Sequence, residues 1–304
     1  MSLLMRKDLY KFLLFIFSTL AYNSYSQTSS FDVEGHRGCR GLYPENTIPA
    51  FINAVQLKVN TLELDVVISR DQQVVVSHEP WINNEICLDK SGEQLTLASE
   101  KQLNIYAMDY SAIREHDCGS KFYGRFPEQV KMFAVKPLLS EVFDSVLAFC
   151  RLNSLAIPDF NIEIKSDPEY DSIYSPTVNE FCELVILEIK RSSLLSKCMI
   201  QSFDSRALKY IHQKYQEVKL VYLTESLSNV NDVKKVLGFL PSVFSPDKRL
   251  VTKKNIQSFH SANVKVIPWT VNEEKQIARL IELGVDGIIS DFPDRVLKLL
   301  KKQY

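Results

Sequence analysis

The sequence predicts a single (β/α)8 barrel that carries one inserted segment. Eight short β-rich runs alternate with helical patterns over roughly 270 residues after Phe31, a length typical of one such barrel. Polar and charged residues stand at the ends of several runs, where parallel α/β folds place their chemistry. The alternative is an open doubly wound sheet. That sheet usually needs fewer strands, and no GxGxxG motif follows the first run to indicate a dinucleotide fold.

Residues 1–26 are predicted to be a secretory signal peptide. Three basic residues precede an apolar run of ten residues, Phe12–Ala21, and a small-x-small cleavage pattern ends at Ser26. The apolar run is too short to span a bilayer. An uncleaved N-terminal anchor is the alternative interpretation. We therefore expect the mature domain to be 27–304, with a net charge of −3, located in the periplasm or outside the cell.

The composition is that of a globular protein, with 45% hydrophobic and 24% charged residues. The formal net charge of the whole chain is −1, so no large basic field indicates a nucleic-acid partner. After signal cleavage we expect no stable membrane insertion and a small-molecule substrate as the main partner. The sequence leaves the oligomeric state open.

Helices fill most of the gaps between the predicted strands. The predicted strands are Val33–Arg37, Thr61–Val67, Asn161–Lys165, Cys198–Phe203, Leu220–Leu223, Val243–Ser245, Val266–Thr270 and Gly287–Ser290. Thr47 is the predicted N-cap of a helix that runs to about Leu57. Gly284 is a predicted helix C-cap, and Pro293 opens the last helix.

One connection is too short for a parallel crossover. About four residues, 70–73, separate the second strand from the run 74–78, whereas a crossover needs a dozen or more. The two runs are therefore predicted to pair as an antiparallel hairpin. If its turn centres between Asp71 and Gln72, Asp65 lies opposite His78.

The segment from about residue 80 to 135 is long, polar and rich in aromatic residues, which predicts an insertion over the mouth of the barrel. Its larger apolar side chains either face a membrane or form a small core of their own. They are Trp81, Ile82, Ile105, Tyr106, Phe122, Tyr123 and Phe126. His116, in the same segment, is predicted to be a surface residue.

The six cysteines divide into two groups. Cys87 and Cys118 flank one polar part of the insertion and are able to pair in an exported protein. The others are predicted to be free packing residues, since most lie in apolar periodic stretches; they are Cys39, Cys150, Cys182 and Cys198. No Cys/His spacing indicates a zinc site.

Acidic residues mark two strand ends. Glu63 and Asp65 alternate on one predicted strand and so point to the same side, where they repel unless a positive group lies between them. Mg²⁺ and Ca²⁺ prefer oxygen ligands, so a hard divalent cation is the expected solution. Glu163 on the next parallel strand is the candidate third ligand, with Lys165 on the same side. A solvated acidic pair without an ion is the alternative, and the second acidic strand end counts against it.

His36 and Arg37 stand together at the end of the first predicted strand. The guanidinium fork of arginine suits phosphate oxygens, and histidine suits proton transfer near neutral pH. The hairpin brings a second histidine, His78, back toward the carboxylates. A cation, an arginine, a lysine and two histidines together indicate a phosphodiester site.

Seven short motifs occur in order along nearly all of the mature chain. They are His36-Arg37-Gly38, Pro44-Glu45-Asn46-Thr47, Glu63-x-Asp65, Val74–His78, Glu163-Ile-Lys165, Trp269-Thr-Val-Asn272 and Asp286-Gly-Ile-Ile-Ser-Asp291. Each motif alone is weak, but the ordered set resembles the glycerophosphodiester phosphodiesterases. The resemblance implies a TIM barrel, an insertion after the second histidine as in bacterial members, and Mg²⁺ or Ca²⁺ as cofactor. It also implies cleavage of glycerophosphodiesters to glycerol 3-phosphate and an alcohol.

By this resemblance the catalytic acid/base pair is His36 and His78, and the metal ligands are Glu63, Asp65 and Glu163. Arg37 and Lys165 match the phosphate contacts, and Asn46 matches a ligand or a residue behind the ligands. Trp269 is expected to line the mouth, against the substrate or simply packed at the top of the barrel. One position departs from the family pattern, because the second histidine is followed by Glu79 instead of Asp.

The mechanism that the resemblance implies leaves two routes open. The nucleophile is either water or the glycerol 2-hydroxyl of the substrate, which would give a transient cyclic phosphate. The sequence does not assign the acid and base roles between the histidines, the head group, or Mg²⁺ versus Ca²⁺.

Two other functions are compatible with the barrel. A phospholipase C- or D-like enzyme acting on intact lipid would need apolar surface around the mouth. A non-catalytic binding protein would be expected to have lost some of the catalytic residues, and all of them are present.

Overall fold

A computed structural model describes residues 31–303 as a parallel β-barrel surrounded by helices. The predicted signal peptide lies outside the described residues. The strands are β1 Asp32–Gly35, β2 Thr61–Ile68, β3 Val74–Val76, β4 Asp159–Ile164, β5 Cys198–Ser202, β6 Lys219–Thr224, β7 Val243–Pro246, β8 Lys265–Val266 and β9 Gly287–Ser290. All of these except β3 pair in parallel, in the order β8-β7-β6-β5-β4-β2-β1-β9.

The segment after β8 closes this sheet onto β9. The amides of Asp286 and Ile289 donate to the carbonyls of Val266 and Pro268 at 2.9 and 3.0 Å, and Val271 N donates to Ile289 O at 3.0 Å. The predicted eight-stranded barrel is therefore confirmed, and the open sheet is excluded.

Helices cover the outside of the barrel, and three of the predicted end signals are present. The helices are α1 Ile48–Leu57, α2 Leu97–Glu100, α3 Tyr110–Ile113, α4 Leu139–Leu152, α5 Val178–Arg191, α6 Ser205–Lys214, α7 Val230–Leu237, α8 Lys253–Ser261, α9 Glu274–Leu283 and α10 Pro293–Gln303. The Thr47 side chain accepts from Ala50 N, Gly284 ends α9 with a φ of 88°, and Pro293 opens α10.

Two predicted strand boundaries are wrong for local reasons. β1 ends at Gly35 because Arg37 takes a left-handed conformation, with a φ of 49°, that turns the chain out of the sheet. The eighth strand was expected to be Val266–Thr270, but regular pairing stops after Val266. Pro268 has no amide hydrogen to continue the ladder.

The interior of the barrel is polar on one side and apolar on the other. Neighbours across a parallel register share a face of the sheet, and Glu63 pairs with Asn161, which pairs with Met199. The apolar side contains Met199, Val221, Val243, Ile267 and Ile289. The polar side contains Glu34, Glu63, Asn161 and Gln201, all buried. The site described below lies on top of this polar side.

The predicted hairpin between β2 and β3 is present, but its register was predicted one residue off. Val66 pairs with Val76 and Ile68 with Val74, so Asp65 lies opposite Ser77. Ser77 N donates to Asp65 O at 3.0 Å. The turn has three residues, 70–72, with the last at a φ of 59°, a loop type that shifts the register by one relative to a symmetric turn.

The segment between β3 and α4 forms a cap with its own core. We use "cap" for residues 80–137. A disulfide joins Cys87 to Cys118, as the spacing allowed, and the free cysteines are all buried. Ile82 and Ile105 are fully buried beside it, and Phe126 is 5% exposed. Of the seven apolar residues considered for membrane contact, Phe122 alone is exposed, at 57%.

His116 was expected at the surface and is instead buried. Its Nδ1 lies 3.2 Å from Ala112 O and 3.3 Å from Ile113 O, at the end of α3. Both carbonyls also accept backbone amides, so the ring adds a further contact at the end of the helix, which the polar sequence around it did not indicate.

Within residues 31–303, no helix is both long enough and apolar enough to cross a bilayer.

Candidate active site

Three carboxylates converge at the carboxyl ends of β2 and β4. Oxygens of Glu63, Asp65 and Glu163 all lie within 4.8 Å of one another, and each side chain is buried. The parallel register explains this meeting, since Asp65 pairs with Glu163 across the two strands. Burial, followed by the charges of Asp65 and Glu163, raises the pKa of Glu63 well above its usual value. A further positive charge close to Glu63 would therefore favour its ionised form.

Two donors hold Glu63 in place. Gln201 Nε2, on β5, donates to its Oε1 at 2.7 Å, and the Arg37 amide donates to its Oε2 at 2.7 Å. Asn161 Nδ2 in turn lies 3.1 Å from Gln201 Oε1 and 2.8 Å from Glu34 Oε2. The orientation of Glu63 is therefore fixed by the buried amide of Gln201, which is itself held by Asn161.

The turn after β1 is conformationally unusual. Arg37 and Asn46 are non-glycine residues with φ values of 49° and 55°, and such strained backbone is concentrated at functional sites. Gly38 has a φ of 86°, and a Cβ there would lie 2.8 Å from Ala50 atoms of α1. The turn aims the Arg37 amide at Glu63 and brings Asn46 Nδ2 to 2.8 Å from Asp65 Oδ2.

Arg37 is enclosed by acids. Its Nη1 donates to Glu45 at 2.6 Å and its Nε lies 3.3 Å from Asp65 Oδ2. Arg40, one turn further on, contacts Glu45 and Asp291. Burial opposes ionisation of Asp65, but Arg37, His78 and Lys165 outweigh it and hold the pKa of Asp65 far below its usual value.

His36 is oriented by an acid from the other end of the chain. Its Nδ1 lies 2.5 Å from Asp291 Oδ1, just after β9, and Asn272 donates to the second oxygen of Asp291 at 2.6 Å. The pKa of His36 is lowered to about 4 by burial and then by Arg40. The ring is thus neutral near pH 7, with Nδ1 bonded to Asp291 and Nε2 available to accept a proton.

His78 has the same arrangement with a neighbour in sequence. Its Nδ1 lies 2.6 Å from Glu79 Oε1, so the longer acid at this position does reach the ring. Lys136 supports the turn by donating to Ser77 Oγ at 2.8 Å. Both histidines therefore present Nε2 away from a bonded carboxylate.

A cavity of about 160 Å³ joins these groups. His36, Arg37, Glu63, His78, Glu163 and Lys165 all line it, together with Trp269. Lys165 Nζ lies 2.7 Å from Glu163 and 3.8 Å from Asp65, so its ammonium group reaches the carboxylates from the side. Asp65 is 1% exposed and does not line the cavity, but one of its oxygens lies within 4.8 Å of oxygens of Glu63 and Glu163, which do. The eight predicted site residues are thus brought together.

A second cavity, of about 700 Å³, opens beside the first. His78, Glu163, Lys165, Phe203 and Leu223 line both. Its further walls come from the cap and from the loops after β4 and β6. Phe203 is 42% exposed and packs edge-on against Trp269, with ring centroids 5.3 Å apart. The Trp269 indole is fixed by Ser245 O, which it contacts at 3.0 Å.

Sequence reasoning missed several residues of this site. Asp291 and Glu45 stand inside motifs that were recognised, and membership of those motifs was the available signal. Gln201 and Phe203 lie at the end of the predicted strand Cys198–Phe203, in a run, QSFD, that gave no reason to select them. Arg125 also lines the smaller cavity, from a part of the cap with no regular pattern.

The fold and the site together define the class. A TIM barrel with buried carboxylates at the strand ends, two carboxylate-oriented histidines, and an arginine and a lysine in one cavity is a phosphoester-cleaving enzyme. The chain belongs to the glycerophosphoryl diester phosphodiesterase family, whose model matches residues 36–295.

Curated relatives cover nearly the whole chain. A glycerophosphodiester phosphodiesterase from Bacillus altitudinis is 29% identical over 87% of this chain and 96% of its own length. One from Bacillus subtilis is 27% identical over 88% of this chain and 85% of its own. A human protein named lysophospholipase D GDPD1 is 25% identical over 95% of this chain and 92% of its own.

Solved structures show the same barrel. A crystal structure of a protein from Silicibacter pomeroyi superposes with a TM-score of 0.81 at 28% identity, covering 90% of this chain and 94% of that one. An Oleispira antarctica phosphodiesterase in complex with the product sn-glycerol-3-phosphate superposes with a TM-score of 0.70 at 19% identity, covering 89% and 96%.

Proposed function

We propose that this protein hydrolyses glycerophosphodiesters to sn-glycerol 3-phosphate and an alcohol, using a divalent cation and two histidines. The observation that carries the proposal is the meeting of two carboxylate-bound histidines with the Glu63–Asp65–Glu163 cluster in one cavity. The names of the curated relatives, and the product in the Oleispira antarctica structure, support the choice of substrate.

The three carboxylates fit a hard divalent cation, Mg²⁺ or Ca²⁺. Their oxygens lie close enough together for one ion, and Asp65 and Glu63 are both oriented by amide donors from outside the cluster. Carboxylate oxygens are the preferred ligands of these ions. When bound, the cation supplies positive charge that polarises the phosphate and offsets the like charges of the acids.

The remaining steps belong to residues of the chain. Arg37 and Lys165 offset negative charge on the phosphate oxygens, and Lys165 is the more accessible of the two, with 17% of its side chain exposed. One histidine accepts the proton of the nucleophile as its oxygen bonds to phosphorus. The other donates a proton to the leaving oxygen as the phosphorus–oxygen bond to the alcohol breaks. The neutral state of His36 suits the accepting role.

The nucleophile is water or the glycerol 2-hydroxyl. In the second route the 2-hydroxyl oxygen displaces the alcohol, and water then opens the cyclic phosphate to the same product. Glycerol 2-deoxy analogues distinguish the two routes, because only direct attack by water tolerates loss of the hydroxyl.

We also propose that the protein is exported, as the signal pattern at 1–26 indicates. The Cys87–Cys118 disulfide supports this location, since such bonds persist in oxidising compartments. In that location the enzyme would act on degraded phospholipid and recover phosphorus and glycerol.

Action on a lipid is the second candidate, favoured by the name of the human relative. The cap offers it little support, because Phe122 is the one exposed side chain among the seven apolar residues considered for membrane contact.

The test is release of glycerol 3-phosphate by residues 27–304. We expect activity on glycerophosphocholine, loss in EDTA and recovery with Mg²⁺ or Ca²⁺. His36→Ala should reduce turnover by about 10²-fold or more without unfolding the barrel. His212→Ala, on α6, is the matched control. Near-normal turnover of a folded His36→Ala variant would contradict the proposed role. Activity on lysophospholipid vesicles alone would favour the second candidate.

A further inference from the structure

Resting on the proposed function, we propose that the larger cavity beside the reaction centre binds the leaving alcohol and selects head groups that carry an ammonium ion. This goes beyond the reaction itself, because it concerns which diesters the enzyme prefers. The protein would favour choline and ethanolamine esters over esters of neutral polyols.

Position makes this cavity the place for the leaving group. It shares His78, Lys165 and Phe203 with the smaller cavity, so a diester whose phosphate lies at the carboxylates projects one substituent into it. Its volume of about 700 Å³ exceeds the 160 Å³ of the smaller one. The smaller cavity suits the phosphate and glycerol, and the larger one the variable head group.

Aromatic rings form a large part of its wall. Trp81, Tyr170, Phe203 and Tyr222 line it, from the cap and from the loops or ends of β4, β5 and β6. Trp81 packs edge-on with Tyr170, at 6.3 Å between centroids, and with Tyr174 at 5.5 Å. Ring faces attract ammonium groups, most strongly those of tryptophan. Lys101 Nζ already lies 5.1 Å from the Trp81 ring centre, and Lys101 is not itself part of the cavity wall.

The charges on the same wall have one sign away from the reaction centre. Glu163 and Lys165 belong to the reaction centre, and Glu79 is bonded to His78. The other charged residues that line the cavity are Asp167 and Glu225. Within residues 31–303 neither forms an ion pair shorter than 4 Å. The charge of Glu225 does contribute to raising the pKa of Arg249, which is itself paired with Asp247. Asp167 Oδ1 accepts from Glu169 N at 2.8 Å, which fixes the carboxylate in a turn.

Aromatic rings beside two carboxylates that form no close ion pair suit a cationic head group. A quaternary ammonium cannot donate hydrogen bonds, so ring faces and nearby negative charge are what recognises it. A polyol gains nothing from the carboxylate charges. Because Asp167 and Glu225 are exposed to solvent, their effect should weaken as salt is added.

The experiment compares kcat/KM for glycerophosphocholine, glycerophosphoethanolamine and glycerophosphoglycerol at low and high ionic strength. We expect the two cationic diesters to be preferred by about tenfold at low salt. The double change Asp167→Asn with Glu225→Gln keeps side-chain size and should remove most of that preference. It should leave glycerophosphoglycerol within about twofold of the wild type. Phe203→Leu should also reduce the preference, by removing one ring face.

The control is Glu282→Gln, which removes one carboxylate charge, against two in the double variant, from an exposed position on α9 outside the cavity. Equal kcat/KM for the choline and glycerol diesters, or an equal loss for all three in the double variant, overturns the head-group proposal and leaves the proposed function standing.

Failure of the proposed function has a different signature, namely no hydrolysis of any diester with Mg²⁺ or Ca²⁺ present. Calorimetric binding then decides the present proposal. Glycerophosphocholine binding more tightly than glycerophosphoglycerol, with the difference lost in the double variant, supports it. Equal binding of the two overturns it.

Discussion

Single residues of this site take their roles from neighbours that differ widely in sequence distance. His78 is oriented by the next residue, Glu79, whereas His36 is oriented by Asp291, 255 residues away. Burial opposes the charge of Asp291, but His36 and Arg40 outweigh it and hold the pKa of Asp291 well below its usual value. A charged acid on Nδ1 keeps each ring in one orientation, with Nε2 toward the cavity.

Gln201 illustrates how a neutral residue acts through another. It holds one oxygen of Glu63, and Asn161 fixes which end of its amide faces the acid. We expect Gln201→Leu to weaken activation by Mg²⁺ or Ca²⁺ by about 10–100-fold, because Glu63 loses its orientation. The measurement is the metal concentration that gives half-maximal activity.

Gln213→Leu, exposed on α6, is the control for the Gln201 variant. A positioning role predicts that excess metal restores most of the turnover. An unchanged metal requirement in a folded Gln201→Leu protein would show that Glu63 does not need this hydrogen bond.

At the scale of elements, the cap adds to a site that the barrel strands begin. Arg125 lines the smaller cavity and stacks near Phe126, at 5.5 Å, and it forms no ion pair shorter than 4 Å within residues 31–303. Arg37, Arg40 and Lys165, by contrast, are all paired with carboxylates. The cap therefore brings an uncompensated positive charge to the place where a phosphate would lie.

Arg125→Ala should raise KM for a glycerophosphodiester by about tenfold, with a smaller effect on kcat, because a charge-assisted contact to the phosphate is lost. Steady-state kinetics measure KM for the wild type, Arg125→Ala and Arg125→Lys. The lysine variant should recover part of the affinity. Lys131→Ala, elsewhere in the cap, should behave as the wild type. A KM that does not respond to Arg125→Ala would place the guanidinium outside the substrate site.

The disulfide stabilises the cap as an element. Cys87 and Cys118 are separated by 31 positions, and both are buried in the cap core. Replacing both by serine should reduce the stability of the cap by about 3–4 kcal/mol on the chain-entropy estimate. Limited proteolysis should then cut within 80–137 and leave the barrel intact. Wild-type protein treated with reductant should behave like the double serine variant. Cleavage of both at the same rate as untreated wild-type protein would contradict the prediction.

At the scale of the whole molecule, the parallel order of β1, β2 and β4 places several acids together at the amino-terminal end of the barrel. Asp32 and Glu34 on β1 lie near Asp159 on β4, and the pKa of Glu34 is raised well above its usual value, mainly by burial. The pKa of Asp32 is raised to about 6, again mainly by burial and against a hydrogen bond from Thr61. Neither acid lines the cavity, and Asp32 in particular bears on stability.

This raised pKa gives the stability a definite pH dependence. The folded protein holds the Asp32 proton more tightly than the unfolded chain, in which the pKa of an aspartate is about 3.9. Burying the protonated carboxyl therefore carries no charge penalty below about pH 4, where the protein is most stable with respect to this group. This stability is lost as the pH rises through about 6, because the buried carboxyl then ionises. Asp32→Asn should therefore match the wild type near pH 4 and exceed its unfolding free energy by up to about 3 kcal/mol near pH 7.5.

Urea unfolding at the two pH values measures this difference. Asp144→Asn, exposed on α4, is the matched control and should change neither value. An Asp32→Asn protein less stable than the wild type near pH 7.5 would mean that the carboxylate charge is stabilising.

The order of the barrel strands, the hairpin, the inserted cap and the proximity of the eight candidate site residues were predictable from the sequence, whereas the roles of those residues stay predictions. Local patterns specify them: period-two and helical spacing, caps such as Thr47, a connection too short for a crossover, and motifs at strand ends. Glu63, Asp65 and Glu163 could be grouped because the parallel register of neighbouring strands brings consecutive strand ends together.

The tertiary structure alone decided the rest, because those contacts depend on how distant segments meet in space. Asp291 reaches His36 only when β9 closes against β1. Gln201 reaches Glu63 across the barrel interior, and Arg125 reaches the cavity only through the fold of the cap. The hairpin register likewise depended on one left-handed residue, Gln72, that the sequence pattern did not reveal. Sequence periodicity thus determined which elements form, and barrel closure determined which side chains share a site.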